Sequence, residues 1–220
     1  DRVVHVALGE VHTRIAHWLH DELTSSLRLI RLGLRSGTLT PEQVGGELDL
    51  LDHATFWLSE TPYVAGSRSW DAAYERIATW GKLRDRRNGV TFYVFNTHFD
   101  HVGEQARQES ARLLATRIES IAGRAPVIVM GDFNTVPGSE PITILTERGL
   151  RDTRALSVKP AAGPDSTWNA FRAIEPGRRI DFIFVRGPIA VVSHTTIPDR
   201  LPDDRFPSDH LPVVAEVRWQ

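Results

Sequence analysis

The chain has 220 residues, 41% hydrophobic and 25% charged, the balance of a globular protein that buries its own core in one domain or two small ones. It has no cysteine, which excludes a disulfide scaffold, a thiol nucleophile, a thiolate zinc site and an iron–sulfur cluster. The net charge of −2 does not by itself mark a nucleic-acid binder, and no apolar run approaches the about 18 residues of a membrane span.

The chain opens Asp1-Arg2-Val3-Val4, without Met and without a signal-peptide pattern, which gives the expectation that an N-terminal segment has been removed. A cytoplasmic location and secretion after signal removal both stay open. Residues 9–35 read as one helix, because Ile15, Trp18, Leu19, Leu23, Leu27, Ile30 and Leu34 recur at helical spacing. Gly37 ends it. Thr40 and Pro41 open a second helix that carries Val44, Leu48 and Leu51. After residue 55 the pattern becomes strand, helix, strand. Phe92 to Phe95 read as a strand after a turn at Arg87-Asn88-Gly89, and residues 103–122 as an amphipathic helix with Ala106, Leu113, Leu114, Ile118 and Ile121 inward. Val127 to Met130 is a continuous apolar run, the mark of a strand buried on both faces. Ile180 to Val185 and Leu211 to Trp219 are two more strands, and residues 136–141, 160–166 and 198–208 are loops.

Polar groups gather at the ends of these strands. Phe92–Phe95 runs into Asn96-Thr97-His98, and Val127–Met130 into Gly131-Asp132-Phe133-Asn134. Asp181 starts the third strand, and Ser208-Asp209-His210 precedes the fourth. Each group alone reads as a turn, a local cap or a surface ion pair. Their coincidence at four strand ends does not. If the last two strands run antiparallel to the first two, all four meet at one sheet edge and place His98, Asp132, Asn134, Asp181, Asp209 and His210 in one cleft. Carboxylates without cysteine prefer a hard ion, Mg²⁺ or Mn²⁺. Two histidines supply acid–base groups near neutral pH. The set suits attack by water on a phosphate ester. No His-Glu-x-x-His, Gly-x-Ser-x-Gly or phosphate-cradling Gly-rich loop with Lys is present, so a zinc protease, a serine triad and ATP use lack support.

In order and spacing, Asn96-Thr97-His98, Gly131-Asp132-Phe133-Asn134, Arg179-Ile180-Asp181-Phe182-Ile183 and Ser208-Asp209-His210-Leu211-Pro212-Val213 resemble the motif set of the endonuclease/exonuclease/phosphatase family, the DNase I-like fold. The stretches Thr55 to Pro62, Trp70 to Ala73 and Asn96 to Gly103 look most like a bacterial subgroup of it. The resemblance implies an α/β fold: a two-sheet β-sandwich flanked by helices over residues 54–220, with residues 1–53 an atypical, incomplete or helical N-terminal segment. It implies that Asp132 orients or deprotonates the attacking water and that Asn134 holds the phosphate or positions that water. Asp209 would bind the metal, His210 would contact a phosphate oxygen, Asp181 would orient His210, and His98 would donate to the phosphate or leaving group. Arg76 is carried over as a phosphate contact by position, against a plain surface arginine. Phe171 is carried over as an apolar wall of the pocket, against a core role for it and Trp168.

The family begins with a strand ending in Asn and then one ending in a metal-binding Glu. The first is absent here; Ala7-Leu8-Gly9-Glu10-Val11 is the match for the second, which makes Glu10 a metal ligand. A competing reading takes the same region as helical. Residues 14–32 look like the dimerisation helix of a bacterial sensor histidine kinase, with His20 before Asp21 at the phosphate-accepting position, Thr40 to Leu51 as the return helix, and a homodimer through this hairpin. Both readings cannot hold. The sequence therefore reads as a Mg²⁺- or Mn²⁺-dependent phosphoesterase acting on a small diester, a monoester, a lipid headgroup or nucleic acid. The alternative is a catalytically impaired family member that binds or dimerises. The basic cluster Arg84-Asp85-Arg86-Arg87 sits on a hairpin turn, and the slightly acidic chain disfavours long nucleic acid.

Overall fold

Along Val127-Ile128-Val129-Met130 every side chain is buried, and the parity of the residues decides against what. In the computed structural model, which describes Ile30–Leu32 and residues 48–220, this run lies in β5 (Val127–Asp132). Val127 and Val129 pack into one core with Phe95, Leu114, Ile118, Phe133, Leu145, Phe182 and Phe184. Ile128 and Met130 pack into a second with Phe92, Val94, Ile183, Val185, Val191, Val213 and Val217. A strand with period two and apolar residues on both faces belongs between two layers. Here those layers are helices on one side and a second sheet on the other.

The larger sheet has strand order β2-β3-β4-β5-β7-β6, built from β2 (Leu48–Trp57), β3 (Ile77–Asp85), β4 (Thr91–His98), β5, β6 (Arg151–Asp152) and β7 (Asp181–Arg186). The smaller has the order β1-β9-β8, from β1 (Ile30–Leu32), β8 (Ile189–Thr196) and β9 (Val213–Trp219). The helices are α1 (Glu104–Ala122), α2 (Glu140–Glu147) and the short α3 (Thr153–Leu156). No helix among the described residues is long and apolar enough to cross a membrane. The architecture is the expected α/β sandwich of two sheets with flanking helices.

β4 and β5 are parallel and β5 and β7 antiparallel, so His98 pairs in register with Asp132, and Asp132 with Asp181. The three lie abreast across three neighbouring strands. Asp132 shares the parity of Ile128 and Met130, His98 that of Phe92 and Val94, and Asp181 that of Ile183 and Val185. All three therefore face the second sheet. Gly131 makes the register possible: its φ is +143°, and a Cβ there would stand 1.9 Å from the Thr97 carbonyl oxygen.

Two expectations are corrected. The helical spacing of residues 9–35 and 40–51 does not hold where the chain is described. Ile30–Leu32 is a strand parallel to β9, and Leu48–Trp57 is the edge strand of the larger sheet. Their ladder partners lie far along the chain, so local spacing did not reveal them. The rest of the hairpin, with His20, Glu10 and the dimer contact assigned to it, lies outside the described residues. The four strand-end motifs also do not share one sheet edge: Ser208-Asp209-His210 leads into β9 of the second sheet, and the cleft lies where the sheets meet.

Candidate active site

Asp132 is the hub of the cleft. Its Oδ1 accepts the Asn134 backbone N–H (2.7 Å), and its Oδ2 accepts Asn134 Nδ2 (3.2 Å). The same Oδ2 lies 3.2 Å from His98 Nε2 and 3.7 Å from His210 Nε2. Asn134 holds a positive φ of 48°, a conformation asparagine tolerates better than most residues, and its amide also donates to the Phe99 carbonyl (3.0 Å). It is thus fixed at both ends.

His210 arrives from the second sheet. Its Nδ1 lies 2.8 Å from Asp181 Oδ2 and its ring meets Trp168 edge-on at 4.8 Å. Burial works against the imidazolium. The hydrogen bond to Asp181 and the charges of Asp181, Asp132 and Asp209 outweigh it and raise the His210 pKa above the ordinary histidine value. Burial in turn raises the Asp181 carboxyl above the usual range, against the stabilising contact of His210. The pair presents Nε2 toward Asp132 and the open cleft. That cleft, about 300 Å³, is lined by Asn96, Asp132, Asp181, Ser208 and His210 among others.

Asp132, Asp181 and His210 bring one ligand atom each within 4.8 Å of one another. Two carboxylates and an imidazole facing a water-accessible cleft fit a hard divalent cation with water completing its shell. Asp209 stands beside this cluster and is not among its three members; its side chain has a long contact to Ser208 Oγ (3.5 Å).

Arg76 is not a plain surface residue. Its side chain is 16% exposed, its Nε lies 3.6 Å from Asp100 Oδ2 and its Nη2 donates to His101 Nδ1 (3.1 Å). It lines a second cavity of about 670 Å³ with Thr55, Trp57, Thr79, Asn96 and His98, which adjoins the first at Asn96. Phe171 is 62% exposed and has a φ of 58°, which overturns its core reading; Trp168 is only partly buried. A left-handed conformation in a bulky residue is a marked outlier, here held by the Asn169 Oδ1 that accepts the Phe171 N–H (2.8 Å).

Sequence reasoning gave no role to Asp71, Asp100, Thr167 or Asn169. Asp100 is buried and accepts the N–H groups of Gly103, Val102 and Tyr74. Burial would raise its pKa, but these donors hold it well below the usual carboxylate range. It thereby ties the segment carrying Arg76 to the loop after His98. Asp71 accepts the N–H groups of Gln105 and Ala106 at the start of α1. An Asp three residues before Gly103 and a helix was a readable turn signal; the Asp71 contact, across a long loop, was not.

A sequence model of the endonuclease/exonuclease/phosphatase family matches residues 26–210. Among solved structures, an endonuclease/exonuclease/phosphatase from Bacteroides vulgatus is 38% identical with a TM-score of 0.74, over 80% of this chain and 67% of that one. A mannosyl-6-phosphatase from Bacteroides thetaiotaomicron is 32% identical with a TM-score of 0.72, over 79% of this chain and 68% of that one. Human nocturnin is 27% identical over 160 residues, which covers 66% of this chain and 37% of nocturnin. The chain thus matches well under half the length of this curated relative.

Proposed function

The chain belongs to the endonuclease/exonuclease/phosphatase family, and from that premise we propose that it is a divalent-metal-dependent phosphoesterase in which water attacks the phosphorus of a phosphate ester. The observation that carries this reading is the row His98, Asp132, Asp181 completed by His210 from the other sheet. Asp132 takes up the proton of the attacking water. Asn134, fixed to Asp132 and to the Phe99 carbonyl, positions that water or holds a phosphate oxygen. His210, oriented by Asp181, donates from Nε2 to a phosphate oxygen, and His98 donates to the phosphate or the leaving oxygen. Asp209 and Glu10 are the ligands the resemblance implies for a Mg²⁺ or Mn²⁺ ion, and the carboxylates of Asp132 and Asp181 would add negative charge beside it, while His210 Nε2 keeps its proton for the phosphate. When bound, the ion supplies charge stabilisation on the phosphate and leaving oxygens.

The substrate reading favours a small ester over a nucleic-acid strand. The basic cluster is largely paired within the chain: Arg84 and Arg86 each lie 2.6 Å from Asp49, and Arg87 lies 3.0 Å from Asp85. A strand-binding groove needs such charges turned outward along a track. Arg76 contacts the substrate from the adjoining cavity, and exposed Phe171 offers it an apolar wall. The test is hydrolysis of a bis-aryl phosphate and an aryl monophosphate with Mg²⁺ or Mn²⁺, with and without EDTA. Metal-dependent turnover of either ester is expected, and the preferred ester separates diesterase from monoesterase. No turnover by folded protein overturns the reading in favour of an impaired, binding member of the family.

A further inference from the structure

The hydrogen-bonded pair Asp181–His210 spans two sheets that share no backbone ladder, since β7 belongs to one and β9 to the other. Their shared core holds the sheets together, and at the cleft a further segment ties the two loops. The segment Thr167-Trp168-Asn169, whose Thr167 and Asn169 are fully buried, lies between the two loops and bonds to both. On one side Thr167 Oγ1 accepts the N–H groups of Ile180 (3.0 Å) and Asp181 (3.1 Å). On the other, the Thr167 carbonyl accepts the Leu211 N–H (2.7 Å), Trp168 forms an antiparallel bridge with His210, and the Asn169 N–H donates to the Asp209 carbonyl (2.8 Å). Asn169 itself is 0% exposed and uses its whole amide: Nδ2 donates to the Ser208 carbonyl (3.0 Å) while Oδ1 accepts the Phe171 N–H.

From this we infer that Asn169 is a positioning residue for the proposed reaction, setting where the Ser208–His210 loop presents the His210 imidazole between Asp181 and Asp132. This rests on the phosphoesterase reading. Only a short side chain with a donor and an acceptor serves here. Aspartate at 169 would face the Ser208 carbonyl with an acceptor, and alanine would leave both that carbonyl and the Phe171 N–H unpaired. The loop would then settle elsewhere, and His210 with it. Asn169 is not among the residues that line the cleft, so its loss acts on kcat through His210, while a change in KM would come through Phe171, whose N–H it also holds.

The experiment compares Asn169→Ala and Asn169→Asp in the full chain and in a His210→Ala background. In the full chain kcat is expected to fall about tenfold or more, and in the His210→Ala background kcat is expected to change within about twofold, because the residue acts through the histidine. An equal kcat loss in both backgrounds overturns the inference. Asn169→Asp keeps the side-chain volume and serves if the alanine variant does not fold. If the unaltered protein turns over neither ester, the functional reading fails by itself. The positioning is then read from the His210 Nδ1 proton by ¹H NMR, assigned by its disappearance in His210→Ala. Loss or exchange broadening of that resonance in Asn169→Asp supports the inference; an unshifted resonance overturns it.

Discussion

Asp181→Asn separates rate from stability at the site. The Asp181–His210 contact is short, 2.8 Å, and both side chains are mostly shielded, at 21% and 25% exposure. A hydrogen bond to a charged group in such a place contributes about 1.5–3 kcal/mol. If that contribution is realised when charge develops on the phosphate, its loss slows turnover about ten- to hundredfold, at about 1.4 kcal/mol per decade. Asparagine can also donate to Nδ1 and favour the wrong tautomer, which acts in the same direction. The fold should not suffer. Burial already raises the Asp181 pKa, so the charged form carries a cost that asparagine lacks, and the backbone N–H groups of Ile180 and Asp181 keep Thr167 Oγ1. The assay is steady-state hydrolysis of the preferred aryl phosphate alongside thermal unfolding. The expected outcome is a kcat loss in that range with KM and Tm little changed. A kcat within about threefold of the original, or a loss appearing mainly in KM, refutes the orienting role.

Two further predictions concern the frame. His194 is buried, with Nδ1 2.9 Å from Thr153 Oγ1, and its surroundings hold its pKa near 4. Burial is the main cause, with Asp152 opposing and Arg154 and Arg179 assisting. The unfolded chain binds this proton below about pH 6.5 and the native chain only near 4, so stability falls as pH falls through that window. The loss is about 2 kcal/mol between pH 7 and pH 5, read from urea unfolding against a His194→Gln variant; identical pH slopes in both proteins would exclude His194 as the source. Gly131→Ala forces a Cβ onto the Thr97 carbonyl and should cost about 3 kcal/mol or more, or prevent folding. A Tm within about two degrees of the original contradicts the register drawn for β4 and β5.

The sequence was legible where local patterns and tertiary neighbours agree. The Val127–Met130 run announced a strand between two layers, and parity along β4, β5 and β7 then sends His98, Asp132 and Asp181 to one face. It was illegible where the partner is remote. Ile30–Leu32 follows helical spacing in sequence, yet pairs with β9 near the other end of the chain. Leu48 and Leu51 fit a helix as well as they fit the edge strand β2, because Leu50 and Leu51 are both exposed there. Seven of the described elements, β1, β2, β3, β6, β8, α2 and α3, were not anticipated as such. In the site, residues carrying charge at strand ends were found, whereas Asp71, Thr167 and Asn169, which act by bonding to distant backbone, left no pattern of their own.

The central claim is that Asp132, ringed by Asn134, His98 and His210, performs the chemistry on a phosphate ester. Its most direct test is the Mg²⁺- or Mn²⁺-supported turnover of an aryl phosphate by the original protein and by Asp132→Ala, both shown to be folded. Metal-dependent turnover that falls to background in the variant is the expected result. Comparable turnover by Asp132→Ala would contradict it.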